Sequence, residues 1–232
     1  MLQAFALGAV AQSSLLLSGI VPFFLRIPDR IVGILAGFGA GALIAAVAFD
    51  LVPEAISVAE VAVWFFVGAL IFIVADRIIE ARFGGEGGDG GSGGALGVVL
   101  GSVVDGVPES LIFGIQIAAG VPISLAFLAA VFVSNIPQAL APSSDLIQSG
   151  WRAGRMVGMW GAVVLACGVA SALGWLAATE VDTVTGARVA AIAGGGVLAM
   201  LSASLVPFAY QKGGAGAALG TVAGFCVSMS QT

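Results

Sequence analysis

The sequence predicts an all-α, polytopic membrane protein with eight transmembrane helices in an inverted 3+2+3 arrangement. Three observations predict this class: the apolar composition, the placement of the basic residues and two pairs of similar helical segments. Of the 232 residues, 59% are hydrophobic and only 9% are charged, and the mean hydropathy is +1.13. Soluble domains carry about 25% charged residues. The solvent of the folded chain is therefore expected to be a lipid bilayer.

The apolar segments are long enough to cross a membrane. A helix needs about 20 apolar residues to span the hydrocarbon core, and division at charges, glycine runs and prolines separates eight segments. The predicted spans are 3–25, 31–53, 60–79, 95–119, 122–147, 154–178, 187–209 and 214–231. The first lacks the basic region and cleavage pattern of a signal peptide, so we expect it to be a membrane helix.

We expect the spans to form a single transmembrane domain over residues 1–232. Within it, residues 82–94 are rich in glycine and have no apolar periodicity. Such a composition behaves as a flexible coil, so a flexible cytoplasmic loop is predicted between the third and fourth spans.

The basic residues predict the orientation. The connections after spans 1, 3, 5 and 7, together with the span ends that border them, contain every basic residue except Arg188, namely Arg26, Arg30, Arg77, Arg82, Arg152, Arg155 and Lys212. Because short cytoplasmic loops are enriched in Lys and Arg, we expect these connections in the cytoplasm and both termini on the extracytoplasmic side. Compact loops and the lack of an organelle signal favour a prokaryotic plasma (inner) membrane.

Two pairs of segments resemble each other. GAGALIAAVAFDLVPEAI (39–56) aligns with AGGGVLAMLSASLVPFAY (193–210) through a shared Leu-Val-Pro, and DGVPES (105–110) aligns with SNIPQA (134–139). In the predicted topology the two members of each pair run in opposite directions. Inverted pairs of proline-interrupted helices are typical of the binding sites of secondary transporters. The pairing therefore predicts three helices, a central pair and three further helices in inverted order.

The central pair contains a candidate cation site. Its predicted residues are Asp105, Glu109, Ser134, Asn135 and Gln138. Residues four apart share one helix face a turn apart, which groups the two carboxylates on one helix and two of the polar side chains on the other. Carboxylate, amide and hydroxyl oxygens suit a divalent cation. The alternative is a buried polar cluster that only holds the helices together.

The cost of burying carboxylates favours the functional interpretation. Each mid-helix carboxylate costs roughly 2.5–3.5 kcal/mol on insertion scales, whereas Ser or Asn would serve a structural role at lower cost. Pro108 and Pro137 each free a backbone carbonyl, which must find a partner or line a wet cavity. Asp50 and Glu54, near the outer end of the second span, are candidates for an entry or secondary site. For Glu54 the alternative is an ordinary position at the membrane interface.

The motifs and the topology together resemble the ZIP family of divalent metal transporters. The family patterns H-N-x-P-E-G and [HQ]-[ED]-x-P-x-x correspond here to D-G-V-P-E-S and S-N-I-P-Q-A. The resemblance implies that Glu109 is the metal-binding carboxylate and that Asp105 replaces a histidine ligand. It also implies that Ser134 and Asn135 replace two polar ligands and that Gln138 stands at a position that is often acidic.

The chain departs from that family in several ways. It has no histidine, Gly106 stands where the family has a polar ligand, and the sixth span has no carboxylate. A second, adjacent metal site is therefore expected to be lost. The remaining oxygen ligands favour Mn²⁺, Fe²⁺ or Mg²⁺ relative to zinc. Cys167 and Cys226 lie in apolar runs and are expected to be buried, core-like thiols.

The predicted function is transport of divalent metal cations of the Zn/Mn/Fe class into the cytoplasm. The cation is the substrate, no cofactor is expected, and the bilayer is the other partner. We expect no nucleic-acid partner, and the composition permits a homodimer. An enzyme is not expected: a Ser–His pair is excluded without histidine, and intramembrane aspartyl proteolysis would need facing residues such as Asp50 and Asp105. The alternative function is a ZIP-like scaffold that has lost metal transport or moves another solute.

Overall fold

The computed structural model describes residues 1–50, 52, 55–83, 92–120 and 123–230, and within them it has helices and no strand. The α-helices are α1 Leu2–Ile20, α2 Asp29–Asp50, α3 Val58–Phe83, α4 Ser92–Ala118, α5 Leu125–Gln148, α6 Ala153–Thr179, α7 Thr183–Met200, α8 Val206–Gly213 and α9 Ala215–Met229. A 3₁₀ turn, Val21–Phe23, follows α1, and a π-helical segment, Leu201–Leu205, joins α7 to α8. The predicted all-α class is confirmed.

In the described part of the chain, seven helical runs are long and apolar enough to cross a membrane. The seventh, Thr183–Gly213, contains α7, the π-helical segment and α8 as one continuous run. The helix α9 has 15 residues, so at about 1.5 Å per residue it is roughly 22 Å long and shorter than the roughly 30 Å hydrocarbon core. The protein is therefore a helical membrane protein, and its eighth predicted span is a shorter apolar helix.

Proline explains the irregular part of the seventh run. Pro207 has no N–H to donate, and its ring crowds the carbonyl of Ala203, four residues earlier. The π-helical segment Leu201–Leu205 lies directly before it and absorbs the mismatch. In contrast, α4 and α5 continue as α-helix through Pro108 and Pro137. Proline thus interrupts hydrogen bonds there without breaking the helix, which transmembrane helices tolerate.

Two regions of the sequence prediction differ from the structure or lie outside it. The predicted loop 82–94 is helical at both ends, since α3 extends to Phe83 and α4 begins at Ser92; residues 84–91 lie outside the described residues. Cys167 is buried as expected, but Cys226 is exposed. The reason is that Cys226 lies on the outward face of α9, a helix that packs mainly on α2.

Close backbone packing at glycines joins α9 to α2. A Cβ atom on Gly41 would overlap the carbonyl oxygen of Thr221, and one on Gly224 would overlap that of Phe38. Small residues allow such close approach in membranes, where van der Waals contact replaces the hydrophobic effect as the main attraction between helices. This contact anchors the short last helix to the bundle.

Two ion pairs lie at opposite ends of the bundle. Lys212 at the end of α8 binds Asp29 at the start of α2, with an N–O distance of 2.8 Å. At the other end, Arg188 of α7 binds Glu60 of α3 at 2.7 Å. The ends are opposite because α2 crosses the bundle between Asp29 and the turn before α3.

The helix α7 begins at a charged cap. Asp182 is the N-cap residue, and its carboxylate oxygen accepts a hydrogen bond from the backbone N–H of Thr185 at 2.7 Å. Hydrogen bonds from the side chain and backbone of Thr185, with Arg188 nearby, hold the pKa of this exposed carboxyl below its ordinary value of 3.8. The cap favours the ionised form, which also interacts well with the positive end of a helix.

We expect Gly41→Ala to destabilise the bundle, because a backbone oxygen cannot move aside without shifting α9. Overpacking costs about 1–3 kcal/mol in well-packed cores, so the melting temperature in detergent should fall by several degrees. Gly158→Ala is the matched control, since a Cβ atom there meets no atom within 4 Å. Equal melting temperatures for the two variants would contradict the proposed α2–α9 contact.

The Asp182 cap should add a pH-dependent contribution to stability. A carboxyl whose pKa is lowered in the folded state stabilises it above the unfolded pKa and loses that effect as pH falls through the folded pKa. Asp182→Asn keeps an N-cap residue but removes the charge. We therefore expect the difference in melting temperature between the native chain and the variant to shrink below about pH 4. A difference that is constant from pH 7 to pH 3 would contradict the cap assignment.

Candidate functional site

A hydrogen-bonded network lies in the centre of the bundle and links three helices. Gln12 of α1 donates from Nε2 to Oε2 of Glu109 on α4 at 2.9 Å. Asn135 of α5 donates from Nδ2 to Oε1 of Gln12 at 2.8 Å. The three side chains are at most 1% exposed. Two of the residues predicted for the cation site, Glu109 and Asn135, are therefore joined through a residue of the first helix.

The network forms because α4 approaches α1 and α6 closely. A Cβ atom on Gly106 would lie 2.7 Å from Sγ of Cys167 and 3.5 Å from the side-chain amide of Gln12. Glycine at this position therefore leaves room for the two neighbouring side chains. This explains why no ligand stands there: any side chain on residue 106 would displace Cys167 from its packed position.

A small cavity lies between α4, α5 and the end of the seventh run. Its volume is ≈ 170 Å³, and its lining includes Asp105 and Gln138 together with Ser102, Ser204 and Phe208. The Nε2 atom of Gln138 is buried and has no hydrogen-bond partner among the described residues. No basic side chain lines the cavity. Its carboxylate, amide and hydroxyl groups thus form an oxygen-rich pocket with a negative charge when Asp105 is ionised.

The cavity adjoins a larger vestibule at one end of the bundle. The vestibule has a volume of ≈ 400 Å³ and is lined by polar groups that include Asp29, Asp145 and Lys212. Ala141 and Phe208 line both spaces. Phe208 therefore stands between Asp105 and the bundle end that carries the Lys212–Asp29 ion pair.

The structure divides the predicted site residues between the cavity and the buried network. Asp105 and Gln138 line the cavity, whereas Glu109 and Asn135 belong to the buried network. Ser134 is buried as well, and its hydroxyl donates to the carbonyl oxygen of Val131 in its own helix at 2.9 Å. Its backbone packs against Gly39 of α2, where a Cβ atom would lie 2.6 Å from the Cα atom of Ser134.

The second predicted location is the entry or secondary site at Asp50 and Glu54. Asp50 is the last residue of α2, and its side chain lies outside the described part of the structure, as does Glu54. In the described part, no group of three or more His, Cys, Asp or Glu side chains is placed to hold a metal ion. A cation in this bundle would therefore depend on amide and hydroxyl oxygens beside a carboxylate.

Sequence reasoning missed Gln12, Ser102 and Ser204. The signal for Gln12 was present, because it is a large polar residue in the middle of a mainly apolar first span, and such a residue needs a partner inside the bundle. The sequence did not reveal the partners of Gln12, since Glu109 and Asn135 follow 97 and 123 residues later. The two serines gave no comparable signal, because serine commonly bonds its own helix backbone.

The arrangement places oxygen groups of the kind that suit a hard cation at two adjoining positions along α4. Asp105 supplies a carboxylate in a cavity, and Glu109 supplies a second carboxylate one helical turn away along α4. One oxygen of Glu109, Oε1, is buried without a hydrogen-bond partner among the described residues. An unpartnered buried carboxylate oxygen is costly, and a bound cation would offset that cost.

Removal of the Asn135 side chain should destabilise the bundle. Asn135→Ala leaves Oε1 of Gln12 without its donor, and a buried polar atom left unpaired costs about 1–3 kcal/mol. Ser144→Ala is a control on the same helix, because the Ser144 hydroxyl donates to the carbonyl of Leu140 in its own turn. The melting temperature in detergent measures both. A fall no larger for Asn135→Ala than for Ser144→Ala would be inconsistent with the network.

In comparisons with known proteins, no family model and no curated sequence matches the chain. The likeness to ZIP transporters thus stays a resemblance of motif and topology. The function of the chain is therefore inferred from its own site, where a cavity, a vestibule and a buried network meet along α4 and α5.

Proposed function

We propose that the protein is a ZIP-type permease that carries divalent metal cations of the Zn/Mn/Fe class into the cytoplasm. The observation that carries this proposal is the cavity that Asp105 and Gln138, one from each motif-bearing helix, both line. The cavity has oxygen donors, no basic lining residue, and a polar vestibule beside it. Such a site binds a cation and offers it a route toward one side of the membrane.

The proposed transport path runs from Asp50 and Glu54 at the outer side to the cavity and then to the vestibule. A cation in the cavity would be held by Asp105 and the amide oxygen of Gln138, with the hydroxyl of Ser204 close by. Glu109 is the next carboxylate along α4. In this proposal release requires Phe208 to move aside, because Phe208 lines both the cavity and the vestibule. Water and the acidic residues of the vestibule would then rehydrate the ion.

The pattern of helix contacts supports the inverted 3+2+3 arrangement that we propose. Exchange of α1, α2 and α3 with α6, α7 and α9, and of α4 with α5, maps three of the larger helix contacts onto three others, although among the described residues the α1–α4 contact has no counterpart of similar size between α6 and α5. The pair α3–α7 corresponds to α9–α2, the pair α4–α6 to α5–α1, and the pair α2–α5 to α7–α4, and all six pairs pack against each other. Such internal pseudo-symmetry with a site at the repeat interface is typical of secondary transporters.

The charge distribution supports the proposed orientation. Lys212 and Arg26 lie at the vestibule end, and the chain direction puts the other basic residues of the odd-numbered connections there too. Arg188 lies at the opposite end with Glu60. An excess of Lys and Arg marks the cytoplasmic side, so the vestibule would open inward in a plasma (inner) membrane, with both termini outside.

The buried network favours one alternative function. Glu109 and Asn135 are engaged with Gln12, as they would be in a polar cluster whose role is to hold helices together. A ZIP-like scaffold that has lost metal transport, or that moves another solute, would keep this network and need no cation. This alternative does not explain why an acidic residue, Asp105, lines a cavity, and we therefore rank it second.

Uptake into proteoliposomes tests the proposal. We expect the native chain to accumulate Mn²⁺, Fe²⁺ or Zn²⁺, and Asp105→Asn and Gln138→Leu to reduce uptake roughly tenfold or more, the scale on which loss of groups at a metal site acts. Glu180→Gln is the matched control, since it also removes one acidic charge but at an exposed position between α6 and α7. It should transport as the native chain does.

Two outcomes would count against the permease. Absence of uptake of every cation at every pH would support the scaffold alternative. Native rates for the double variant Asp105→Asn/Glu109→Gln would mean that the cation passes elsewhere.

A further inference from the structure

Gln12 is the link between the two motif-bearing helices. The helices α4 and α5 have few direct contacts with each other, whereas both pack against α1. Gln12 reaches Glu109 on one side and Asn135 on the other, and it is completely buried. The separation of these two predicted ligands is therefore set through a residue of the first helix, outside both motifs.

The hydrogen bonds determine how the Gln12 amide is turned. The Nδ2 atom of Asn135 can only donate, so it must face the carbonyl oxygen of Gln12. The NH₂ group of Gln12 then faces Glu109 and donates to Oε2. As a result one oxygen of the Glu109 carboxylate is held, and the other, Oε1, is left without a partner among the described residues.

The unsatisfied atoms argue against a purely structural network. A polar cluster that only holds helices together is stable when every member is paired. Around this network Oε1 of Glu109 and Nε2 of Gln138 are both buried and unpaired among the described residues. A cation near Glu109 would satisfy the first of these, and the second lies on the other motif-bearing helix.

We propose that Gln12 is a positioning residue of the cation site, which holds Oε2 of Glu109 so that Oε1 is presented to the cation. This inference rests on the proposed function, because it names a residue of that same site. Residues that orient metal ligands through a hydrogen bond commonly affect affinity as strongly as 10–100-fold. Gln12 acts through Glu109 and needs no direct contact with the ion.

Direct binding of Mn²⁺ tests this role separately from transport. The full chain in nanodiscs is titrated with Mn²⁺, and the loss of the free-ion electron paramagnetic resonance signal gives the dissociation constant. Gln12→Met has nearly the same length and no hydrogen-bonding group. Gln12→Asn keeps the amide but is one methylene shorter and cannot reach both partners. Ser14→Ala is the control on the same helix, because the buried Ser14 hydroxyl donates to the carbonyl of Ala11 in its own helix at 3.3 Å.

We expect Gln12→Met and Gln12→Asn to weaken Mn²⁺ binding about tenfold or more and to raise KM for uptake more than they lower the maximal rate. Ser14→Ala should bind as the native chain does. Melting temperature and monodispersity identify the folded variants, and only these are compared. Native affinity in either folded Gln12 variant would overturn the positioning role.

The design separates failure of this inference from failure of the proposed function. If the native chain binds no Mn²⁺ and transports no cation, the permease proposal fails and the role of Gln12 fails with it. If Asp105→Asn abolishes binding while both Gln12 variants bind normally, only the role of Gln12 is overturned.

Discussion

The constraint on which the structure depends is that a polar group in hydrocarbon must find its partner inside the bundle. In water Glu109, Gln12 and Asn135 could each be solvated alone. Inside a membrane each unpaired group costs several kcal/mol, and the three side chains therefore hydrogen-bond to one another across three helices. The relative placement of α1, α4 and α5 follows from this requirement as much as from apolar packing.

Small residues make that placement sterically feasible. Gly106 lets α4 approach Cys167 and Gln12, and Gly39 lets α2 approach the backbone of Ser134. Because lipid is as apolar as a leucine side chain, close backbone contact and not water exclusion holds such helices together. Glycine residues thus allow helices that carry polar side chains to approach each other closely.

The cavity and the network divide the proposed work of binding. Asp105 and Phe208 both line the cavity. Glu109, one turn away, is buried and is tied to Gln12 through one of its two oxygens. In the proposed permease, a carboxylate beside a cavity and a second, buried carboxylate would together bind and release the ion without a histidine. The π-helical segment lies beside the cavity and contributes Ser204 to its lining, as π-helical turns often do at functional sites.

The sequence by itself determined the class of the protein, the limits of most helices and the segments that would carry the polar residues, because composition and apolar run length depend on the solvent alone. It also predicted that Asp105 and Gln138 lie close together, and both line one cavity. Only the tertiary structure decided that Glu109 and Asn135 meet through Gln12, that Ser134 bonds its own helix, and that a side chain at Gly106 would strike Cys167. These facts depend on the approach of helices separated by tens of residues, and such distances follow from the packing of every side chain between them, which no local pattern encodes.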